Sequence, residues 1–220
     1  MALSAAVHAF YAGRSAPLAG DGRPSAIVKS TLAGPVTIGP LGLLGDEQAD
    51  RIRHGGPDQA LQLYPRGHYS RLAGCFPAAA VVLVPGRLGE NLSADLEEDG
   101  VCIGDVFALG TARLQVSRPR KPCWKIDVRC GAEGVAARIA ESGWTGWYFR
   151  VLEPGAAIAG DALRLLERPS DPLYLADLHA TLAAHRPSAS ALRRIVGQPA
   201  LAAGYREQVA QRLEWLERNP

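Results

Sequence analysis

Residues 104–125 read GDVFALGTARLQVSRPRKPCWK. Two short runs suited to strands, Val106–Leu109 and Arg113–Ser117, are set apart at Gly110. They lead into a segment stiffened by Pro119 and Pro122, which cannot easily be helical. The same pattern extends in both directions. Ala5–Tyr11, Ser25–Thr31, Ala60–Leu63, Ala79–Val84, Trp147–Leu152 and Ala162–Leu166 are further strand-like runs between the glycines and prolines that punctuate the first three quarters of the chain. Short strands at close spacing predict a mainly β protein, a barrel or a sandwich, rather than βαβ units. Helices are expected at Pro65–Ala73, with proline at the first helical position, and at Glu133–Glu141, ending before Gly143.

The character changes after Arg168, which divides the chain into an expected barrel domain, 1–168, and a C-terminal three-helix domain, 169–220. Asp171-Pro172 reads as an N-cap followed by proline, opening a helix over Leu173–His185. Pro187 breaks it, Ser188 or Ser190 can cap a short helix ending at Gly197, and Ala200–Arg218 shows helical spacing of Leu201, Tyr205, Val209, Leu213 and Leu216. Three such helices hold little core alone. Their apolar stripes, Leu175/Leu178/Leu182 and Val209/Leu213/Leu216, are expected to close onto the barrel or to build a homodimer.

The 220 residues are 47% hydrophobic and 21% charged, enough to bury a core, and 24 basic against 22 acidic side chains give a net charge of +2. That balance argues against a nucleic-acid partner, and the tail is too evenly charged for a helix-turn-helix role. No apolar run approaches a bilayer span, so no membrane partner is expected. The start lacks a basic n-region, and four cysteines without CxxC or zinc-ligand spacing suit a reduced, cytoplasmic chain.

Chemistry concentrates around Cys123. Arg118, Arg120, Lys121, Lys125 and Arg129 surround it, with Asp127 the lone acid between them. Neighbouring cations favour the thiolate, the form that acts as a nucleophile or binds a soft metal. Cys75 and Cys102 read as structural, and Cys130 lacks comparable framing. Among the 24 basic side chains only Lys29, Lys121 and Lys125 are lysines; where arginine is the default, a retained lysine marks a need for a compact point charge. His54-Gly-Gly-Pro-Asp58 places an imidazole, a tight turn and a carboxylate together, as a ligand-facing loop or a solvated surface turn. Glu90 and Asn91 lie between apolar segments as a strand cap or as part of a site.

Together PSAIVK, LGLLGDEQADRIRHGGPDQALQLYPRGHY, GENLS, GDVFALGTARLQVSRPRKPCWK and TGWYFRVLEPG, over residues 22–165, resemble the MOSC family, named after the C-terminal domain of molybdenum cofactor sulfurase. The likeness is to the YiiM-like branch, linked to resistance to N-hydroxylated purines, whose barrel is followed by a 3-alpha domain. It implies a closed, strongly bent β-barrel and a pyranopterin molybdenum cofactor with Cys123 as the protein ligand to the metal. By motif position it implies Lys29, Ser25, Glu90, Asn91, Ser117, Arg120 and Lys121 around that cofactor, with His54 and Asp58 along the same cleft; an imidazole whose ordinary pKa lies near neutrality suits His54 to proton delivery, with Asp58 orienting it. Pyridoxal phosphate is left open as a bound group. Trp124, Trp144 and Trp147 are candidates for stacking a flat base. The implied activity is reduction of an N-hydroxylated substrate such as 6-N-hydroxylaminopurine to the amine. With no flavin or iron–sulfur motif in the chain, a separate electron-donor reductase is implied. Sulfur transfer through a Cys123 persulfide, and a non-catalytic cofactor carrier, are the alternatives.

Overall fold

The computed structural model describes residues 3–49 and 55–219. Seven strands form the barrel: β1 (Ser4–Ala12), β2 (Leu61–Pro65), β3 (Leu92–Ala94), β4 (Val106–Leu109), β5 (Ala112–Pro119), β6 (Trp147–Glu153) and β7 (Ala162–Glu167). Their order is β7-β4-β5-β6-β2-β3-β1, and β1 pairs back onto β7 through Ser4↔Arg164 and Ala6↔Ala162, which closes the ring. All neighbours are antiparallel except β2 and β3, where Leu63 lies opposite Leu92. The small strand Ser30–Thr31 adds to the outer end of β1.

Alternation builds the wall. In β5, Ala112, Leu114 and Val116 are buried while Arg113 and Gln115 between them are only half-buried, the period-two pattern of a strand with one face inward. The pairing with β6 shifts between Val116 and Arg118, and there Ser117 is buried as well. Irregular pairing of this kind bends a strand, and it stands immediately before the Cys123 segment.

Among the described residues six α-helices accompany the barrel: α1 (Arg66–Cys75), α2 (Lys125–Cys130), α3 (Val135–Ser142), α4 (Leu175–Ala183), α5 (Ala189–Val196) and α6 (Ala203–Arg218). The first three cover one side of the barrel with a core that includes Tyr64, Tyr69, Leu72, Ile126 and Ile139. The last three share the barrel's own core: Leu175, Leu178, Ile195, Val209 and Leu216 belong to one continuous cluster with Phe107, Leu114 and Trp147. Backbone hydrogen bonds from Ile103 N to Leu173 O, Leu175 N to Val101 O and Ala202 N to Ser117 O tie this tail down. Its apolar stripes are thus used within the chain.

Several expectations are corrected. Ala79–Val84 forms no strand: a 3-10 turn at Pro77–Ala79 runs into further turns, and Val81 is 85% exposed. Within Ser25–Thr31 only the two ends pair, and the middle lines a hollow instead. Pro65 is the N-cap of α1 rather than its first residue. Asp171 does not cap α4, because its carboxylate is held by Arg194 at 2.8 Å; Tyr174 occupies the cap position. Ser188 does cap α5, accepting from Ala191 N at 3.2 Å. The unforeseen α2 ends at Gly131, whose φ of 61° suits a left-handed C-cap. Its Asp127 then accepts from Ala136 N at 2.7 Å in the first turn of α3.

Candidate functional site

β5 delivers Cys123. Its last ladder pair is Pro119↔Trp147, Arg120 N still donates to Gly146 O at 3.0 Å, and the chain then leaves the barrel. Pro122 precedes Cys123, whose carbonyl accepts from Ile126 N at 3.0 Å as α2 begins. The thiol-bearing residue is held between a strand end and a helix start, half-buried.

Two hollows share Cys123, Gln59 and Tyr148 in their walls. The smaller, about 100 Å³, is also lined by Ser25, Lys29, Asp46, Asn91, Arg120 and Lys125. The larger groove, about 810 Å³, runs between the Gly55–Gln59 turn, Arg118, Lys121 and the start of α6, where Tyr205 and Gln208 face it.

In the smaller hollow Asp46 is the organiser. Lys29 Nζ donates to both of its oxygens at 2.6 and 2.5 Å, Asn91 Nδ2 to Oδ2 at 2.8 Å and Gly13 N to Oδ1 at 2.8 Å. Burial pushes the Lys29 ammonium pKa down, and Asp46 offsets part of that shift. With Lys29 paired to Asp46, Arg120 and Lys125 face a single further carboxylate, Glu47, in this lining and leave it a small positive excess. Arg120 is braced by Leu88 O at 2.5 Å, and Lys125 Nζ donates to Pro24 O at 3.2 Å.

Of the residues marked in the sequence, Cys123, Lys29, Ser25, Asn91 and Arg120 come together around the smaller hollow. Lys121 and Asp58 stand on the larger groove. The Asp58 carboxylate is engaged by Arg150 at 2.7 Å, so the expected orienter of an imidazole already holds a guanidinium. His54 lies outside the described residues. Ser117 lines neither hollow: its hydroxyl is directed at Asp58 O (2.6 Å) and Tyr148 O (3.0 Å), a tie between strand and loop. Glu90 is also corrected. It is fully buried and turned away from both hollows, its Oε1 accepting from Tyr69 Oη and Gly86 N, both at 2.5 Å. Its Oε2 has no hydrogen-bond partner among the described residues, and burial pushes the carboxyl pKa up.

None of the three tryptophans lines a hollow. Trp124 lies under the Arg23 guanidinium at 4.0 Å, Trp144 stacks on His68 at 5.8 Å, and Trp147 is in the core. Tyr148 and Tyr205 supply aromatic surface instead. Sequence reasoning missed both, as well as Asp46, Gln59 and Gln62. Tyr148 carries a signal, as the half-buried position between buried Trp147 and Phe149. Of the other thiols, Cys102 is buried and pushed up to about 12 by burial and Asp105, Cys130 is buried and raised, and Cys75 is exposed.

The donor set fits a metal that arrives within a cofactor. Among the described residues no group of three or more His, Cys, Asp and Glu side chains could hold a bare ion. A single reachable thiol beside cations is what a pre-ligated, anionic group needs from the chain. Residues 50–164 match the family model of the MOSC domain, a molybdenum cofactor sulfurase-type domain. The chain belongs to the MOSC family. It is 44% identical over 152 residues to protein YiiM of Escherichia coli (strain K12), covering 69% of this chain and 68% of that one. A protein of Gibberella moniliformis named reductase is 39% identical over 147 residues, 66% of this chain but 26% of its own length. The crystal structure of YiiM from Geobacillus stearothermophilus matches with a TM-score of 0.81 at 30% identity, over 95% of this chain and 99% of that one. The likeness to this MOSC structure therefore takes in the helical tail as well as the barrel. Among the described residues no helix is long and apolar enough to cross a membrane.

Proposed function

We propose that this MOSC protein holds a pyranopterin molybdenum cofactor through Cys123 and reduces N-hydroxylated compounds, purine bases foremost, to amines. The balance is R–NHOH plus two electrons and two protons giving R–NH2 and water. The observation that carries the reading is that Cys123 is shared by two hollows, one with Arg120, Lys125 and the Lys29–Asp46 pair in its wall and one roomy. When bound, the cofactor supplies the two-electron chemistry. The chain supplies the rest. The Cys123 sulfur would ligate the metal, and Arg120 and Lys125, held by Leu88 O and Pro24 O, would face the anionic phosphate. Tyr148 offers a flat wall at the junction, and Gln59 an amide for the edge of a base. His54, which precedes Gly55 in the sequence, is the proposed proton donor. A separate reductase delivers the electrons. The name of the Gibberella relative supports reductive chemistry.

The test is metal content and turnover of protein made in a cofactor-competent host. Molybdenum near one per chain, lost in Cys123→Ala, together with reduction of 6-N-hydroxylaminopurine when a donor reductase is added, is expected. Protection of cells against hydroxylaminopurine that persists in a cofactor-deficient host overturns it. Metal-free protein with cyanide-labile sulfur on Cys123 assigns sulfur transfer, and bound molybdenum without N–OH reduction assigns a carrier.

A further inference from the structure

The larger groove holds charge that a neutral base would not use. Arg118 is half-buried in its wall. The guanidinium lies 4.8 Å from the centre of the Tyr205 ring, and its Nε donates to Pro119 O at 3.3 Å. Its terminal N–H groups have no acceptor among the described residues. Asp58, the carboxylate on the same groove, is held by Arg150 at 2.7 Å. Lys121, three residues on, has neither an ion-pair nor a hydrogen-bond partner among the described residues, and it faces the same groove.

Drawing a guanidinium partly out of water with no carboxylate hydrogen-bonded to it, and only the field of Asp58, itself paired with Arg150, to offset the burial, costs free energy unless a ligand completes it. The pair is suited to phosphate: a planar fork of donors from arginine and a mobile point charge from lysine. Tyr205 comes from α6, so the tail fixes the plane of the guanidinium. The groove's volume of about 810 Å³ also leaves room for more than a bare ring; pockets for drug-sized ligands run to roughly 300–1,000 Å³.

We propose that Arg118 and Lys121, with Tyr205 positioning the guanidinium, form an anion subsite for the 5′-phosphate of the substrate, making N-hydroxylated purine nucleotides the preferred substrate class. This deepens the reductase reading and rests on it. The phosphate is the substrate's rather than the cofactor's, since Arg120 and Lys125 line the other hollow.

The experiment is titration calorimetry of molybdenum-loaded protein, without electron donor, using 6-N-hydroxylaminopurine and its riboside 5′-monophosphate. Turnover of both compounds with a donor is measured in parallel. The monophosphate is expected to bind about tenfold to a hundredfold more tightly, the scale of one or two charge-assisted hydrogen bonds. Arg118→Ala and Lys121→Ala should each remove most of that preference. Tyr205→Leu should raise KM for the nucleotide while leaving its kcat, and Tyr205→Phe, which keeps the ring, should restore the wild-type KM. Equal affinity for the two compounds in a protein that still reduces the base removes the subsite and leaves the reductase reading intact. Molybdenum lost from folded Arg118→Ala gives the cation to the cofactor and also overturns the proposal. Tighter binding of the monophosphate with neither compound reduced removes the reductase reading and keeps the subsite.

Discussion

Two arginine-centred regions of the molecule spend their donors in opposite ways. At the joint between barrel and tail, Arg168 gives Nε and Nη2 to the fully buried Asp105 at 2.9 and 2.6 Å. Its remaining donors reach Gly100 O at 2.8 Å and Tyr174 Oη at 3.3 Å. Asp105 also accepts from Cys102 N at 2.9 Å. Around Cys123, by contrast, Arg118 and Lys121 keep donors with no carboxylate among the described residues to receive them. The saturated region contributes stability; the unsaturated one is available to a ligand. The same residue type serves both ends because the difference lies in what faces it.

The sharpest way to break the contrast is Cys123→Ala. It should cut N–OH reduction by about a thousandfold or more and leave the urea midpoint unchanged, as a half-exposed side chain outside the core should. The converse change is Arg168→Ala. Leaving the buried Asp105 carboxylate without its cation should cost on the order of 3 kcal/mol in urea unfolding, while retained molybdenum per folded chain shows the site intact. A labelling series sharpens the comparison further. With an alkylating reagent the native protein should modify Cys75 and Cys123 and spare Cys102 and Cys130, which are buried and held as thiols. Rapid loss of Cys102 under native conditions would mean that the joint opens, and rapid loss of Cys130 that the α1–α3 cover does.

Glu90 gives the smallest expected effect and lies between the two cases, buried like Asp105 but with one oxygen unpartnered among the described residues. Its carboxyl titrates higher when folded than its ordinary value of 4.5. A raised value means the protonated form is favoured by folding, so its contribution is full below pH 4.5 and is lost as pH rises through the folded value. Glu90→Gln should remove that slope and gain about 1 kcal/mol at pH 8, read from paired urea titrations at pH 5 and pH 8. A steeper slope in the variant would contradict the assignment.

Much of the barrel was legible because alternation is local: β4, β5, β6 and β7 announce themselves within a few residues. Ala79–Val84 misled because an apolar run of that length carries no period, and only the absence of a pairing partner decides against a strand. Asp171 misled because Arg194, 23 residues on, competes for its carboxylate. The site shows the same division. Cys123 stood out since its cations are neighbours in the sequence. Asp46 did not, because its partners Lys29 and Asn91 lie 17 and 45 residues away. Tyr205 was legible only as part of a helical stripe; its place beside Arg118 depends on how the tail docks.

Closure of the ring by β1 against β7 sets a waiting time. Ser4–Ala6 leave the ribosome well before their partners, Ala162–Arg164. At roughly 5–20 residues per second of synthesis, that first strand spends on the order of 8–30 s with one edge unpaired. During that interval its open edge is a template for other nascent chains, so neighbouring chains on a polysome are where this barrel is exposed to misassembly.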